Sequence, residues 1–334
     1  MSRGLTLRDA RDYNIIGCVE PQKSGKTEGW HDAAFFNMCR PLELVFSNGM
    51  DKGVRIGPAT GNVEDMTTFE QFYDAYKKQM DYAIQLLVNA DNAIDMAHAE
   101  RCPLPFLSSM VDDCMKVGKT VQEGGAVYNF TGPQGFGVAN MADSLYSVKT
   151  LVYDEKKITM GELKEALATN YGKGLGAEDV AAMTAKIANE LKEAGKTIGE
   201  KEVAAILNTV VAASEAPEVK ANGERILKLI EEVPKFGNDI PEVDAFARDV
   251  AYTYTEPLQN YKNPRGGSFG GALSGIRQCT ARCTDGSDSG WTSGISAGGR
   301  WCVSVCRKRC QWSDSGCELC FQTGSLHCIK RYLI

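Results

Sequence analysis

Apolar residues recur along most of this chain at the spacing of a helix packed on one side. Phe69, Phe72, Tyr76, Met80, Ala83, Leu87 and Ala90 follow a Thr68–Gln71 pair. That pair is a capping-box signature, in which each side chain satisfies a backbone N–H at the helix start. The pattern predicts a long helix with these residues turned to a core. Pro105 to Gly118 predicts a second helix, with proline at its start and glycine just past its end. Ala139–Leu151 predicts a third. Thr159 with Glu162, and Thr197 with Glu200, repeat the capping pattern. Pro241 to Thr255 is the last convincing helix. Strand signals are shorter. Asp12-Tyr13-Asn14-Ile15-Ile16 predicts a buried strand running into a loop marked by Gly17 and Pro21, and Tyr128-Asn129-Phe130 predicts another. Gly132, Gly135 and Gly137 read as turn residues, and Asn263 to Phe269 as a loop leading into a strand. Alternating strands and long helices give an α/β class.

Two stretches depart from this pattern. From about Gly172 to Glu224 the chain is rich in Ala, Lys and Glu with spaced apolar residues, which predicts a surface insertion of two or three amphipathic helices. Residues 270–334 have no hydrophobic period at all. They hold eight of the 12 cysteines, and eight Lys/Arg against four Asp/Glu. The remainder is acidic, with 29 Lys/Arg against 39 Asp/Glu. Nothing in it resembles a nucleic-acid footprint. No apolar run approaches the ~20 residues of a membrane helix, and the start of the chain lacks the charged and apolar regions of a signal peptide. The expectation is a cytoplasmic protein with no nucleic acid and no membrane among its partners.

Candidate chemistry concentrates at Gly17-Cys18-Val19-Glu20-Pro21. In an extended loop, residues two apart point to the same side, so the Cys18 thiol and the Glu20 carboxylate can face one substrate. On residue types alone the pair stays open between nucleophilic catalysis, radical hydrogen abstraction and a cysteine that is simply a small buried hydrophobe. Other motifs are weaker. Ser24-Gly25-Lys26-Thr27 imitates the end of a P-loop, but Glu20 stands where its first glycine belongs. His98-Ala99-Glu100 with Cys102 lacks the Pro-Cys-x-x-Cys of a zinc deaminase, which leaves His98 as a helix-end residue in a polar contact.

The run from Gly17 to Gln22, with Gly25-Lys26-Thr27-Glu28-Gly29-Trp30-His31-Asp32 after it, resembles the cysteine loop of the glycyl radical dehydratases. The likeness is strongest to the glycerol and propanediol dehydratases. It continues through His98-Ala99-Glu100-Arg101, Pro105 to Met110, Gly124 to Phe130, Asp143-Ser144-Leu145, Lys235 to Asp239 and Asn263 to Gly267. Nearly all of residues 9–269 take part, apart from the helical stretch. The resemblance implies a ten-stranded α/β barrel, here partial, surrounded by helices and usually a homodimer. It implies that Cys18 is the hydrogen-atom carrier, that Glu20 takes up a substrate hydroxyl proton, and that Asp32 binds substrate hydroxyls. It further implies a small hydroxylated substrate, no bound cofactor, and a glycyl radical installed by a radical-SAM activating enzyme. The loop that would carry this radical, of the Arg-Val-x-Gly-Tyr type, is nowhere in the sequence. The chain by itself is therefore expected to be inactive.

Two alternatives accompany this reading. A pyruvate formate-lyase-like acyltransferase uses two adjacent cysteines, whereas Gly17 precedes Cys18 here. A non-catalytic fragment could bind zinc through Cys302, Cys306, Cys310, Cys317 and Cys320. Against the zinc reading, codons compatible with residues 270–334, read one nucleotide later, can encode a peptide resembling the family's own continuation. The expectation is a 1–269 domain, truncated at its N-terminus, followed by an out-of-frame, disordered tail.

Overall fold

The computed structural model describes residues 4–16, 20–51, 53–173, 216–270 and 272–273; of Glu20, Pro21, Ala272 and Leu273 it describes the backbone. The expected helices around Thr197 and the cysteine-rich tail lie outside the described residues, as does Cys18. The chain starts with a short helix α1 (Leu7–Arg11), then an antiparallel hairpin of β1 (Asn14–Ile16) and β2 (Glu20–Gln22). β3 (Thr27–Trp30) and β4 (Phe35–Asn37) follow, then α2 (Cys39–Phe46) and a small hairpin of β5 (Met50–Asp51) and β6 (Val54–Arg55).

The long helix α3 spans Phe69–Arg101 and is roughly 50 Å long at the usual rise per residue. Thr68 and Gln71 form the expected capping box at its start. Its buried side is Phe72, Ala75, Tyr76, Gln79, Met80, Ile84, Val88, Asp91 and Asp95. The expected row is thus right as far as Met80 and then one residue early: Ala83 and Leu87 are half-buried and Ala90 is exposed. A step of four from Met80 keeps Ile84 and Val88 under the stripe, where a step of three swings the row aside. In its last turns that same face changes from apolar to acidic.

The expected helix over 105–118 is two short ones, α4 (Pro105–Ser109) and α5 (Cys114–Val117). Between them the Asp112 N–H leaves the helical path to donate to the Gly25 carbonyl at 2.6 Å, and Asp113 turns left-handed at φ 75°. β7 (Tyr128–Thr131) lies parallel to β3, and β8 (Gln134–Phe136) lies parallel to β4. Gly135 is therefore a strand residue paired with Phe36, not a turn; Gly137, at φ +90°, does turn the chain into α6 (Val138–Val148). α6 runs on as a π-helix over Lys149–Asp154, whose five-residue closure matches the 2.6 Å ion pair between Lys149 and Asp154. The expected cap Thr159–Glu162 opens α7 (Met160–Ala168). α8 (Pro217–Glu232) buries Gly223, Ile226 and Ile230, so the end of the expected surface insertion belongs to the core. α9 (Pro241–Leu258) and β9 (Ala272–Leu273), parallel to β8, complete the described α-helices and strands.

α9 packs on α6 and α3, and α2 packs on α3, enclosing one apolar core that includes Phe72, Tyr76, Met80, Leu145, Val250 and Tyr254. The mixed helix and sheet and the parallel strand pairs agree with the α/β class. The described strands form four small sheets. β1 differs from expectation: Tyr13 and Ile15 are each 54% exposed. Among the described strands β1 pairs with β2 alone. A two-stranded hairpin offers little sheet face on which to bury apolar side chains.

Candidate active site

The β1–β2 register places Ile16 opposite Glu20, with Gly17, Cys18 and Val19 connecting the two strands. Glu20 thus opens β2 immediately after the cysteine loop. Asp32 is exposed in the turn just beyond β3, next to half-buried His31, whose ring meets Phe130 edge-on at 4.9 Å. Glu20 opens β2 and Asp32 follows β3, two strands of different small sheets joined through the turn at residues 23–26. That turn is the imitation P-loop, and its Lys26 holds the Asp9 carboxylate at 3.0 Å. His98 lies in the last turn of α3, edge-on to Trp30 at 5.1 Å. That ring contact, unlike the polar one expected, sets the end of α3 against β3.

Behind β3 and β7 lies a buried polar lattice that sequence reasoning did not single out as functional. Arg265 is its centre. Its Nε donates to Asp95 Oδ2 at 2.8 Å, in an ion pair whose side chains are 2% and 6% exposed. Its Nη1 donates to the Glu28 carbonyl, and its Nη2 to the Phe130 carbonyl and Thr131 Oγ1. One guanidinium thereby joins α3, β3 and β7. Asn263 donates through Nδ2 to the Asn129 carbonyl and Thr131 Oγ1, and accepts from the Gly267 N–H at 2.8 Å. Only glycine fits at 267, where a Cβ would sit 1.1 Å from the Asn129 carbonyl oxygen. At Gly124, φ is +81° and a Cβ would press on the Arg265 carbonyl oxygen at 2.5 Å.

The electrostatics follow from this burial. Desolvation pushes the Glu28 carboxyl up; Arg265 opposes that shift and Asp95 adds to it. Asp91 is 2% exposed, and burial, reinforced by Asp95, pushes its carboxyl up to about 7. Its Oδ2 has no hydrogen-bond partner among the described residues. The signal for this lattice was present in two places. The first was the Asn263–Gly267 run; the second was an acidic pair four apart on the buried stripe of α3. The Lys235–Asp239 run is likewise a fastening. Lys235 Nζ donates to the carbonyls of Ile230 and Val233 at the end of α8, and the Phe236 N–H donates to Asp143 Oδ1 on α6. Burial lowers the Lys235 pKa, against the opposing charges of Asp143 and Glu231.

A family model described as pyruvate formate lyase-like matches residues 1–278. The chain belongs to this family. It is 31% identical over 271 residues to the (2S)-3-sulfopropanediol dehydratase of Klebsiella oxytoca, covering 80% of this chain and 27% of that one. Among solved structures it is similar to one described as 1,2-propanediol dehydration in Roseburia inulinivorans, at 58% identity and a TM-score of 0.77. That match covers 81% of this chain and 32% of the other. It is also similar to the glycerol-bound, B12-independent glycerol dehydratase of Clostridium butyricum, at 48% identity and a TM-score of 0.65, with 81% and 28% covered. The chain thus spans about a third or less of the length of these relatives. Among the described residues, no helix is long and apolar enough to cross a membrane.

Proposed function

We propose that this chain is part of a glycyl radical lyase of the dehydratase type, acting on a small molecule with hydroxyls on adjacent carbons. Cys18 is its hydrogen-atom carrier, Glu20 its proton acceptor and Asp32 a hydroxyl-binding group. The observation that carries this reading is the Gly17-Cys18-Val19-Glu20 run inside a match to the pyruvate formate lyase-like family. A single thiol with a carboxylate two residues on suits elimination, whereas acyl transfer needs a second adjacent thiol and meets Gly17 instead.

When present, the family's glycyl radical supplies the acceptor for the hydrogen atom of the Cys18 thiol; a radical-SAM activating enzyme installs it. The thiyl form of Cys18 removes a hydrogen atom from a carbon bearing a hydroxyl, which is feasible because the S–H and α-hydroxy C–H bonds are of similar strength. Asp32 holds that hydroxylated substrate. Glu20 takes the hydroxyl proton, and the resulting ketyl radical expels the group on the neighbouring carbon with its bonding electrons. Cys18 then returns its hydrogen atom to the product radical. A carboxylate raised by burial is best matched to such a proton transfer near neutrality.

In this reading residues 1–269 form part of the family's ten-stranded barrel in a homodimer. The 334-residue chain, lacking an Arg-Val-x-Gly-Tyr run, has no turnover of its own. The decisive experiment places residues 1–269 in a chimaera, replacing the matching third of the Roseburia inulinivorans relative. After anaerobic activation it is expected to dehydrate 1,2-propanediol, and Cys18→Ala is expected to abolish this. Turnover that survives Cys18→Ala would overturn the assignment.

A further inference from the structure

The residues on either side of the cysteine loop are tied together more tightly than a solvent-facing hairpin requires. Asp9, on α1, is 4% exposed although it carries a carboxylate. It accepts from the Tyr128 hydroxyl at 2.7 Å and from Lys26 Nζ at 3.0 and 3.3 Å. The Tyr128 hydroxyl in turn accepts from the Thr6 N–H, and Thr6 Oγ1 accepts from the Asp9 N–H. A second pair, Lys23 Nζ to Asp12 Oδ2 at 2.7 Å, closes the hairpin one step nearer its tip. Tyr128 is itself fixed in β7, where its N–H donates to the Lys26 carbonyl. The Asp112 N–H, donating to Gly25, holds the same turn from α5's side.

The topology gives this cluster its meaning. Asp9 precedes the hairpin and Lys26 follows it, and Cys18 lies midway between them in sequence. Joining two points 17 residues apart closes a loop and fixes the separation of its two ends. The outer faces of β1 are exposed, so apolar packing does not hold the hairpin. Ion pairs and one tyrosine hydroxyl do so instead.

We propose that Asp9, Lys26 and Tyr128 are positioning residues of the elimination site: they clamp both ends of the Cys18–Glu20 hairpin to the β3–β7 pair. The proposal rests on the reading of Cys18 given above. The clamp acts through the hairpin and touches no substrate. Asp9 is the hub, because it receives both of the other side chains.

The test follows alkylation of the full 334-residue protein by iodoacetamide. The tryptic peptide Asp12–Lys23 reports Cys18 alone, and buried Cys39 serves as the internal control. In Asp9→Asn and Lys26→Met the Cys18 rate is expected to rise at least fivefold while Cys39 stays protected. Lys26→Arg, which keeps the ion pair, should remain within twofold of wild type. Tyr128→Phe removes a single hydroxyl and decides the matter should Asp9→Asn fail to fold. An unchanged Cys18 rate in these variants, or one that rises only in step with Cys39, would overturn the clamp. A Cys18 shielded through Asp9 yet dispensable for turnover in the chimaera would sink the functional reading and leave the clamp standing.

Discussion

Along α3 one continuous face is buried against two kinds of surroundings. From Phe72 to Val88 it meets the apolar residues of α2, α6 and α9. At Asp91 and Asp95 it meets the polar lattice around Arg265. Apolar burial is non-directional, and isosteric swaps in such a core usually cost less than about 1.5 kcal/mol. The lattice is directional. Each Arg265 nitrogen engages its own acceptor: Asp95 from Nε, the Glu28 carbonyl from Nη1, and the Phe130 carbonyl with Thr131 Oγ1 from Nη2. One end of the helix is held by area, the other by geometry. The strands next to the candidate site are fastened to the geometric end, so their placement depends on few atoms.

The largest test of that contrast is to remove one member of the buried pair. Asp95→Ala leaves a guanidinium with little access to water, and breaking such pairs costs on the order of 3–5 kcal/mol. Chemical denaturation should show this loss. Arg265→Met should cost a comparable amount, since the Glu28 and Phe130 carbonyls lose a donor. The double variant Asp95→Ala with Arg265→Met should recover part of the sum, with a coupling of about 1–3 kcal/mol. Purely additive losses would mean that the two side chains act independently and that the lattice is no unit.

Asp91 sharpens the comparison, because it sits where apolar stripe and lattice meet. Its carboxyl is held near 7 in the fold against an ordinary 3.8, so the neutral form is the one the fold prefers. Between these values the unfolded chain has lost a proton that the folded chain keeps, and stability therefore falls as pH rises. The window runs from about pH 4 to pH 7, and the loss is roughly 2–4 kcal/mol. Asp91→Asn should remove this slope, leaving the variant more stable than wild type at pH 8 and close to it at pH 4. Thermal unfolding across that range reads the effect. Parallel pH curves for the two proteins would place the titration elsewhere.

What could be seen in the sequence follows the same division. Local signals carried through: the capping boxes at Thr68 and Thr159 and the start of α9 at Pro241 depend on residues a turn apart. Signals that act across the chain did not. The break between α4 and α5 comes from a hydrogen bond to Gly25, far away in sequence. The exposure of β1 goes with its pairing to β2 alone among the described strands, which its own apolar residues do not announce. Arg265 reaches Asp95 across 170 positions and Glu28 across 237. The Asn263–Gly267 run shows as a motif, but its chemistry stays hidden until Gly267 is seen against the Asn129 carbonyl. Cys18 and Glu20 are a different case. Their residue types leave the chemistry open, and the roles proposed for them rest on the surrounding family pattern.

The smallest effect belongs to the far end of α3. Thr68 accepts from the Gln71 N–H, and Gln71 Oε1 accepts from the Thr68 N–H, so two of the helix's unpaired donors are satisfied reciprocally. Thr68→Ala removes one half of that exchange and should cost about 1 kcal/mol. Fraying is expected to stop near Phe72, because that side chain is fully buried and meets Phe46 edge-on. Amide exchange should therefore quicken over the first turn and remain unchanged around Asp91–Asp95. A loss well above 3 kcal/mol, or faster exchange at Asp95, would show that the helix is held as one cooperative rod from its cap. In that case the apolar and polar ends would share their stability, and the division between area and geometry would fail.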